Sequence, residues 1–97
     1  MVDQILNELK DELSALTKYK DNDYIAIGLN TKFATMNNIV KADEILILED
    51  EILIQAGHLN ITFSLDDSMR AVKYNGVENE YYINNDEAEL YIDILGT

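Results

Sequence analysis

The chain contains no cysteine, no proline and no tryptophan, and only one of its 97 residues is a histidine. Without cysteine it can form no disulfide, no thiolate nucleophile and no zinc or iron-sulfur site built on sulfur. The single histidine, His58, cannot assemble a histidine metal triad within one chain. These absences exclude the commonest metal and covalent chemistries, and they suit a reducing compartment, so we expect a cytoplasmic location.

Signs of disorder are also missing, because hydrophobic residues make up 47% of the chain and only four glycines are present. A chain of this length buries roughly 60 to 70% of the surface that its unfolded form exposes. No linker or repeat divides it, which predicts one domain over residues 1–97. The first residues carry neither a basic segment nor a continuous apolar run, so we expect no secretory signal, no spanning helix and no membrane partner.

Basic residues are few, with 7 against 19 acidic residues and a net charge of −12. The imbalance is concentrated in residues 49–97, which carry 11 acidic and 2 basic side chains. Binding nucleic acid requires Lys and Arg to neutralise phosphates, so the expected partner is a basic protein and no direct nucleic acid. The competing explanation is that surplus carboxylates keep a small domain soluble.

A helix is predicted at the start of the chain, followed by short antiparallel strands, which makes the fold class α+β. Its apolar positions have the three- and four-residue spacing of a helix buried on one face. These positions are Val2, Ile5, Leu6, Leu9, Leu13 and Leu16. Lys18 and Lys20 favour a helix end, and the segment 21–23 breaks it. We expect this helix to pack on a β-meander of six to seven short strands, as an open sheet or a small barrel.

Four segments before residue 66 read as strands: 24–30, 44–48, 51–55 and 59–65. The second and third are continuous apolar runs, which predict a hairpin covered on both faces. The fourth alternates apolar and polar residues, which predicts one face in the core. Residues 31–42 fit two alternatives, a hairpin that turns at Asn37-Asn38 or a short helix.

Two hairpins are predicted in the last third of the chain. Asn75-Gly76 is a strong two-residue turn signal and pairs Tyr74 with Val77. A four-residue loop from Asn84 to Glu87 then pairs Ile83 with Ala88. The resulting register predicts a core face, on which Arg70 and Asn79 also fall. Its apolar members are Val72, Tyr74, Val77, Tyr81, Ile83, Leu90, Ile92 and Ile94.

The opposite face of these hairpins is predicted to be acidic and rich in tyrosine. It carries Met69, Ala71, Lys73, Glu78, Glu80, Tyr82, Glu89, Tyr91 and Asp93. In this register Glu78 lies across from both Lys73 and Asp93. Tyr82 lies across from Glu89, and Tyr91 lies across from Glu80. The candidate partner-binding residues are Glu78, Glu80, Tyr82, Glu89, Tyr91 and Asp93.

Such a face can imitate a nucleic-acid backbone. Carboxylates two residues apart on one strand are separated by about 6.6 Å, near the spacing of successive phosphates. Tyrosine side chains add apolar area with a hydrogen-bonding tip, and they are enriched where interfaces concentrate binding energy. The competing explanation is that this is an ordinary solvated sheet face, on which tyrosine occurs because it favours β-strands.

Catalytic, cofactor and metal sites are not predicted anywhere in the chain. No nucleophile-elbow pattern surrounds Ser14, Ser64 or Ser68. The four glycines are isolated, so no phosphate-binding loop is present, and segment 21–23 lacks the glycine and distal glutamate of a calcium loop. His58 beside Gly57 indicates a loop residue. We therefore expect a protein that is not an enzyme and has no cofactor.

In size, charge and helix-plus-sheet architecture the chain is similar to the small acidic inhibitors of phages and mobile elements, including anti-CRISPR proteins. It is equally similar to bacterial immunity proteins that neutralise basic nuclease toxins. The resemblance implies a non-catalytic inhibitor that binds a basic, nucleic-acid-binding protein, and it carries over no functional residue. The alternative is a structural or assembly subunit that oligomerises through sheet edges, for example as a homodimer.

Overall fold

An amphipathic helix, α1, spans Gln4–Lys18 in the computed structural model. The structure describes residues 4–18, 24–75 and 79–94. The buried side chains of α1 are Leu6, Leu9 and Leu13, which confirms the predicted apolar side. Val2, Lys20 and segment 21–23 lie outside the described residues. Across the described parts of the chain, no helix is both long and apolar enough to cross a bilayer.

Eight strands follow the helix in the described residues. They are β1 Tyr24–Thr31, β2 Thr35–Lys41, β3 Ile45–Ile47, β4 Glu51–Ala56, β5 Leu59–Ser64, β6 Arg70–Asn75, β7 Asn79–Asn84 and β8 Ala88–Ile94. The α+β class and the helix packed on antiparallel strands are confirmed. The strands form two sheets, where the sequence predicted one meander of six to seven.

The larger sheet has five strands in the order β2-β1-β8-β7-β6, and the smaller has three in the order β3-β4-β5. Every pairing is antiparallel. The larger sheet is not a simple meander, because β1 pairs with β8, with Ile25 opposite Ile94 and Leu29 opposite Leu90. Strand β8 is therefore the middle strand of this sheet, with β7 beside it.

The core lies where one face of each sheet meets the apolar side of α1. Its members form one buried cluster that includes Leu9 from the helix, Ile52 and Ile54 from β4, and Ile92 from β8. In the five-stranded sheet the side chains that point into the core alternate with those of the opposite face, as a strand with one face in the core requires. Tyr81, Ile83, Leu90, Ile92 and Ile94 are all buried, as predicted.

Residues 31–42 adopt neither of the two predicted alternatives. The turn comes earlier, at residues 32–34, where the Thr31 hydroxyl oxygen accepts hydrogen bonds from the backbone N–H groups of Phe33 (3.2 Å) and Ala34 (3.1 Å). Asn37-Asn38 lies inside β2. A single 3-10 turn, Ala42–Glu44, then leads the chain into the second sheet.

The predicted hairpin of β3 and β4 is present, and Ile47 pairs with Ile52. Its two faces differ, because Ile45 and Ile47 are buried while Leu46 is 54% exposed. The prediction that both faces are covered is therefore wrong. Continuous apolar runs occur in strands buried on both sides, but here only one side meets the core.

The register of β6 on β7 differs from the prediction by three residues. Tyr74 pairs with Glu80, and Asn75 pairs with Asn79, whereas a tight Asn75-Gly76 turn pairs Tyr74 with Val77. Gly76, Val77 and Glu78 lie outside the described residues. Because side chains alternate with a period of two, an odd shift exchanges the faces of β6.

This exchange changes which β6 side chains are buried. Val72 and Tyr74, predicted in the core, are 44% and 57% exposed. Lys73 and Ala71, predicted on the outer face, lie on the core side, as does Met69, which precedes the strand and is buried. These predictions were wrong, although those for β7 and β8 were right.

Candidate functional site

Five of the six candidate residues project from the outer face, defined here as the face of the five-stranded sheet opposite the core. Glu80 and Tyr82 are on β7, and Glu89, Tyr91 and Asp93 are on β8. Each alternates with a buried residue of the same strand, and this alternation fixes the direction of its side chain. Glu78 lies outside the described residues. The role of these side chains in binding a partner stays a prediction.

At the centre of this face, β7 and β8 pair like side chains with like. Tyr82 lies opposite Tyr91, and Glu80 lies opposite Asp93. We call Glu80, Tyr82, Tyr91 and Asp93 the quartet. The predicted mixed pairs were wrong by two residues of register. Because that shift is even, it changed the neighbours of each side chain and kept its face.

On each strand of the quartet, the tyrosine hydroxyl lies near the carboxylate two residues away. The Tyr91 hydroxyl donates to Asp93 Oδ2 at 3.0 Å, and the Tyr82 hydroxyl lies 3.5 Å from Glu80 Oε2. Burial and the hydrogen bond to Asp93 raise the pKa of the Tyr91 phenol above its ordinary value. Burial and the charge of Glu80 do the same to the pKa of Tyr82. Both rings therefore stay protonated donors at neutral pH.

Asp93 is the one charged side chain among the buried residues described, at 7% exposure. Its Oδ1 atom has no hydrogen-bond partner in the described structure. Buried carboxylate oxygens are normally hydrogen-bonded or paired with a cation. Asp93 has Ala26 on one side and Glu80 on the other, so neither cross-strand neighbour supplies a donor. Within the described structure, the most buried carboxylate of the quartet, Asp93, therefore has one oxygen without a hydrogen-bond donor.

Tyrosine rings extend from the quartet to the edge of the sheet. The centroids of Tyr82 and Tyr91 are 4.9 Å apart at a tilt of 46°, and those of Tyr74 and Tyr82 are 5.3 Å apart and T-shaped. Both are favourable arrangements for aromatic pairs. The sequence reasoning missed Tyr74 because it placed this residue in the core. No local signal could have found it, because the face of Tyr74 depends on the length of the loop that joins β6 to β7.

A groove of about 420 Å³ runs over the outer face from β6 to β8. Its lining consists of Val72, Tyr74, Glu80, Tyr82, Asn84 and Glu89. Glu80 lies opposite Tyr74 at one end, and Glu89 lies opposite Asn84 at the other. Four residues of strand separate these ends, or about 13 Å at roughly 3.3 Å per residue. The groove therefore has an aromatic floor and a carboxylate at each end.

Cations on the outer face are confined to the two edge strands, β2 and β6. Lys41 lies opposite Tyr24, and Arg70 lies opposite Asn84. The two ion pairs found in the described residues both belong to Lys73, which contacts Glu12 at 3.0 Å and Glu8 at 3.4 Å. Neither involves a carboxylate of the outer face. Its acidic centre is therefore not neutralised by ion pairs within the described structure.

Lys73 instead ties β6 and β7 to α1. It shares Glu12 Oε1 with the Tyr81 hydroxyl, which donates to the same oxygen. The hydrogen bond to Glu12 raises the pKa of Lys73. Burial, with the hydrogen bond to Glu12, raises the pKa of Tyr81 to about 12. Of the two basic residues in the second half of the chain, Lys73 is thus removed from the outer face.

A second cavity, of about 540 Å³, opens beside Phe33, a side chain that is 94% exposed. Its walls are mainly apolar and include Leu29 and Phe63, while Lys32 brings a positive charge and Asp86 and Glu87 bring negative charges. The cavity therefore carries charges of both signs.

His58 is exposed in the turn between β4 and β5. The described residues contain no group of three or more acidic or histidine side chains placed to hold a metal ion.

Comparison with known proteins gives no information about the outer face. No protein-family model matches the chain, and no curated protein and no solved structure is similar to it.

Proposed function

We propose that the chain is a non-catalytic binding domain whose outer face contacts a basic, nucleic-acid-binding protein in the cytoplasm. The observation that carries this proposal is the Glu80–Asp93 pair, two carboxylates opposite one another with no cation between them in the described structure. Like charges directly opposite on a sheet destabilise it by roughly 0.2 to 1 kcal/mol. A basic partner removes this repulsion when it binds, so the cost in the free protein becomes affinity in the complex.

The whole-chain charge supports the same kind of partner. A net charge of −12 on 97 residues attracts basic proteins over several ångströms and speeds their encounter. Tyr74, Tyr82 and Tyr91 add the amphipathic aromatic surface that interfaces favour. Charge thus guides the approach, while the tyrosine cluster supplies contact area.

A finer proposal is that the face imitates nucleic acid, as an anti-CRISPR-like inhibitor does. An immunity protein against a basic nuclease toxin is the alternative, and it uses the same acidic surface. Among the described residues, Glu80, Asp93 and Glu89 do not form an evenly spaced row. Mimicry therefore rests on the overall charge of the chain.

The experiment compares binding of labelled polylysine, a generic basic chain, by the parent protein and two charge-reversed variants. Glu80→Lys with Glu89→Lys alters the outer face. The matched control, Glu49→Lys with Asp50→Lys, makes the same change of charge at the β3–β4 turn. We expect the face variant to bind about ten-fold more weakly, roughly 1.4 kcal/mol, and the control to lose much less. Equal losses in the two variants would show that net charge alone drives binding.

A second candidate is an assembly subunit that pairs through a strand edge, for example as a homodimer. Strand β5 pairs only with β4 in the described structure, and an unpaired edge is a template for another strand. Strand β2 is also an edge strand in the described structure, and its apolar side chain Ile39 is 58% exposed. Static light scattering separates the candidates, because a stable oligomer that persists at high salt supports assembly and a monomer supports the binding domain.

A further inference from the structure

We infer that the Glu80 end of the groove is an arginine site, which takes the guanidinium group of a partner's side chain against the ring of Tyr82. This inference rests on the proposed function and names the chemical group that the same face recognises. It distinguishes the two ends of the groove by their chemistry, because Asp93 adds a second negative charge beside Glu80.

The two ends of the groove do not offer the same chemistry. Glu89 lies opposite Asn84, a neutral amide, whereas Glu80 lies opposite a second carboxylate, Asp93. Their separation of about 13 Å along the strands prevents one side chain from neutralising both. A single cation gains most at the Glu80 end, because there it relieves repulsion between two negative charges.

Asp93 does not line the groove, but as the cross-strand neighbour of Glu80 it is the independent sign that a donor is missing beside this end. It is more than nine-tenths buried, and its Oδ1 has no hydrogen-bond partner in the described structure. Its side chain leaves the strand on the same face as Glu80 and lies directly across from it. A guanidinium bound to Glu80 compensates the pair from the Glu80 side, since charge interactions across a few ångströms are strong when water is excluded.

The aromatic wall explains why the cation is arginine and not lysine. Glu80 has Tyr74 across from it on β6, and the Tyr74 and Tyr82 rings form a T-shaped pair beside it. A guanidinium is planar, stacks on aromatic faces, loses its hydration more readily than an ammonium, and forms paired hydrogen bonds with one carboxylate. An ammonium is a strongly hydrated point charge and gains less from this combination.

The protein's own arginine does not fill this end. Arg70 lies opposite Asn84, at the Glu89 end of the groove, and its Nη1 contacts the backbone oxygen of Met69 at 3.5 Å. It forms no ion pair with Glu80 or Asp93 in the described structure. The Glu80 end therefore remains open to an arginine from another chain.

The test measures the affinities of two end-blocked peptides, hexa-arginine and hexa-lysine, by calorimetry at the same ionic strength. We expect the parent protein to prefer hexa-arginine by about five-fold, the value of one partly desolvated cation–π contact. Tyr82→Leu should abolish this preference, whereas Tyr82→Phe, which keeps the ring, should retain it. The matched control is Tyr24→Leu, which removes a 62% exposed ring from the same face away from the groove and should leave the preference unchanged.

The outcomes distinguish this inference from the proposed function. If both peptides bind equally and Glu80→Lys with Glu89→Lys weakens both, the acidic face stands and the arginine site is wrong. If neither peptide binds, both proposals fail. A preference for arginine that survives in Tyr82→Leu also contradicts the site, provided that the circular dichroism of the variant matches that of the parent.

Discussion

Glu80 and Asp93 keep two negative charges side by side on a sheet, and this arrangement has a measurable cost at the scale of single residues. Asp93→Asn removes one of the charges and supplies an amide donor. We expect the free energy of unfolding to rise by about 0.2 to 1 kcal/mol, measured by urea denaturation. Glu89→Gln is the control, because Glu89 lies opposite the neutral Asn84 and should change stability little. A loss of stability in Asp93→Asn would mean that the fold needs this carboxylate.

The buried phenol of Tyr81 makes stability depend on alkaline pH. Burial and its hydrogen bond to Glu12 raise its pKa to about 12, against about 10 in an unfolded chain. Between these values the unfolded state loses the proton first, so the free energy of unfolding falls as pH rises from about 10 to 12. At lower pH this contribution is constant.

Urea denaturation at a series of alkaline pH values measures the effect. For each such phenol the slope reaches at most about 1.4 kcal/mol per pH unit. Tyr81→Phe should show a shallower decline than the parent, because it removes one of the phenols with a raised pKa. Leu46→Ala, a change at a 54% exposed position that alters no ionisable group, should decline with the same slope as the parent. Identical slopes in Tyr81→Phe and the parent would contradict this account.

Sequence reasoning placed five of the six candidate residues on the observed outer face. It could do so because the alternation of buried residues in β7 and β8 fixes which side of each strand faces the core. It failed on β6, where Asn75-Gly76 suggested a turn that the pairing of Asn75 with Asn79 excludes. Because of that error, Tyr74 was predicted in the core and Lys73 on the outer face. The position of a cation or ring one strand away depends on loop length, which local propensity does not determine.

At the scale of elements, α1 is held by leucines that enter the core. Leu9 is fully buried, so Leu9→Ala removes buried apolar volume and leaves a cavity. We expect a loss of about 2 to 5 kcal/mol in the free energy of unfolding, measured by chemical denaturation. The control is Leu46→Ala, the same change at a 54% exposed position on β3, for which the loss should be much smaller. Similar losses at both positions would mean that α1 is not docked as described.

The elements themselves were largely predictable, because three- and four-residue spacing in α1 and two-residue alternation in β5 are strong local signals. Strand β2 was not, since two adjacent asparagines resemble a turn. The actual turn depends on the Thr31 hydroxyl, which accepts two backbone hydrogen bonds. Threonine is common in strands as well as in such turns, so the sequence gives no clear signal there.

At the scale of the whole molecule, the surplus of negative charge makes any association with a basic chain depend on ionic strength. The screening length falls from about 10 Å at 0.1 M salt to about 3 Å at 1 M. We expect the affinity for polylysine to fall by more than ten-fold over this range, mainly through slower association. Stopped-flow fluorescence measures the rates. An affinity independent of salt would indicate that the face binds through its apolar area and that charge contributes little.

The order of strands was beyond the reach of the sequence. Hairpins between neighbouring strands can be inferred from turn residues, but the pairing of β1 with β8 joins segments more than fifty residues apart. Nothing in either strand selects the other beyond an apolar side, a property that most strands here share. Only the packing of the whole chain decides between a meander, a barrel and two sheets.

The central place of β8 has a consequence for synthesis. Strands β1 and β2 can form a hairpin while the ribosome is still at work, but they join β6 and β7 only through β8, which is made after all four of them. Until then the two hairpins cannot join through hydrogen bonds into one sheet, and distant pairings of this kind form slowly. The five-stranded sheet is therefore completed only after β8 has been added to the chain.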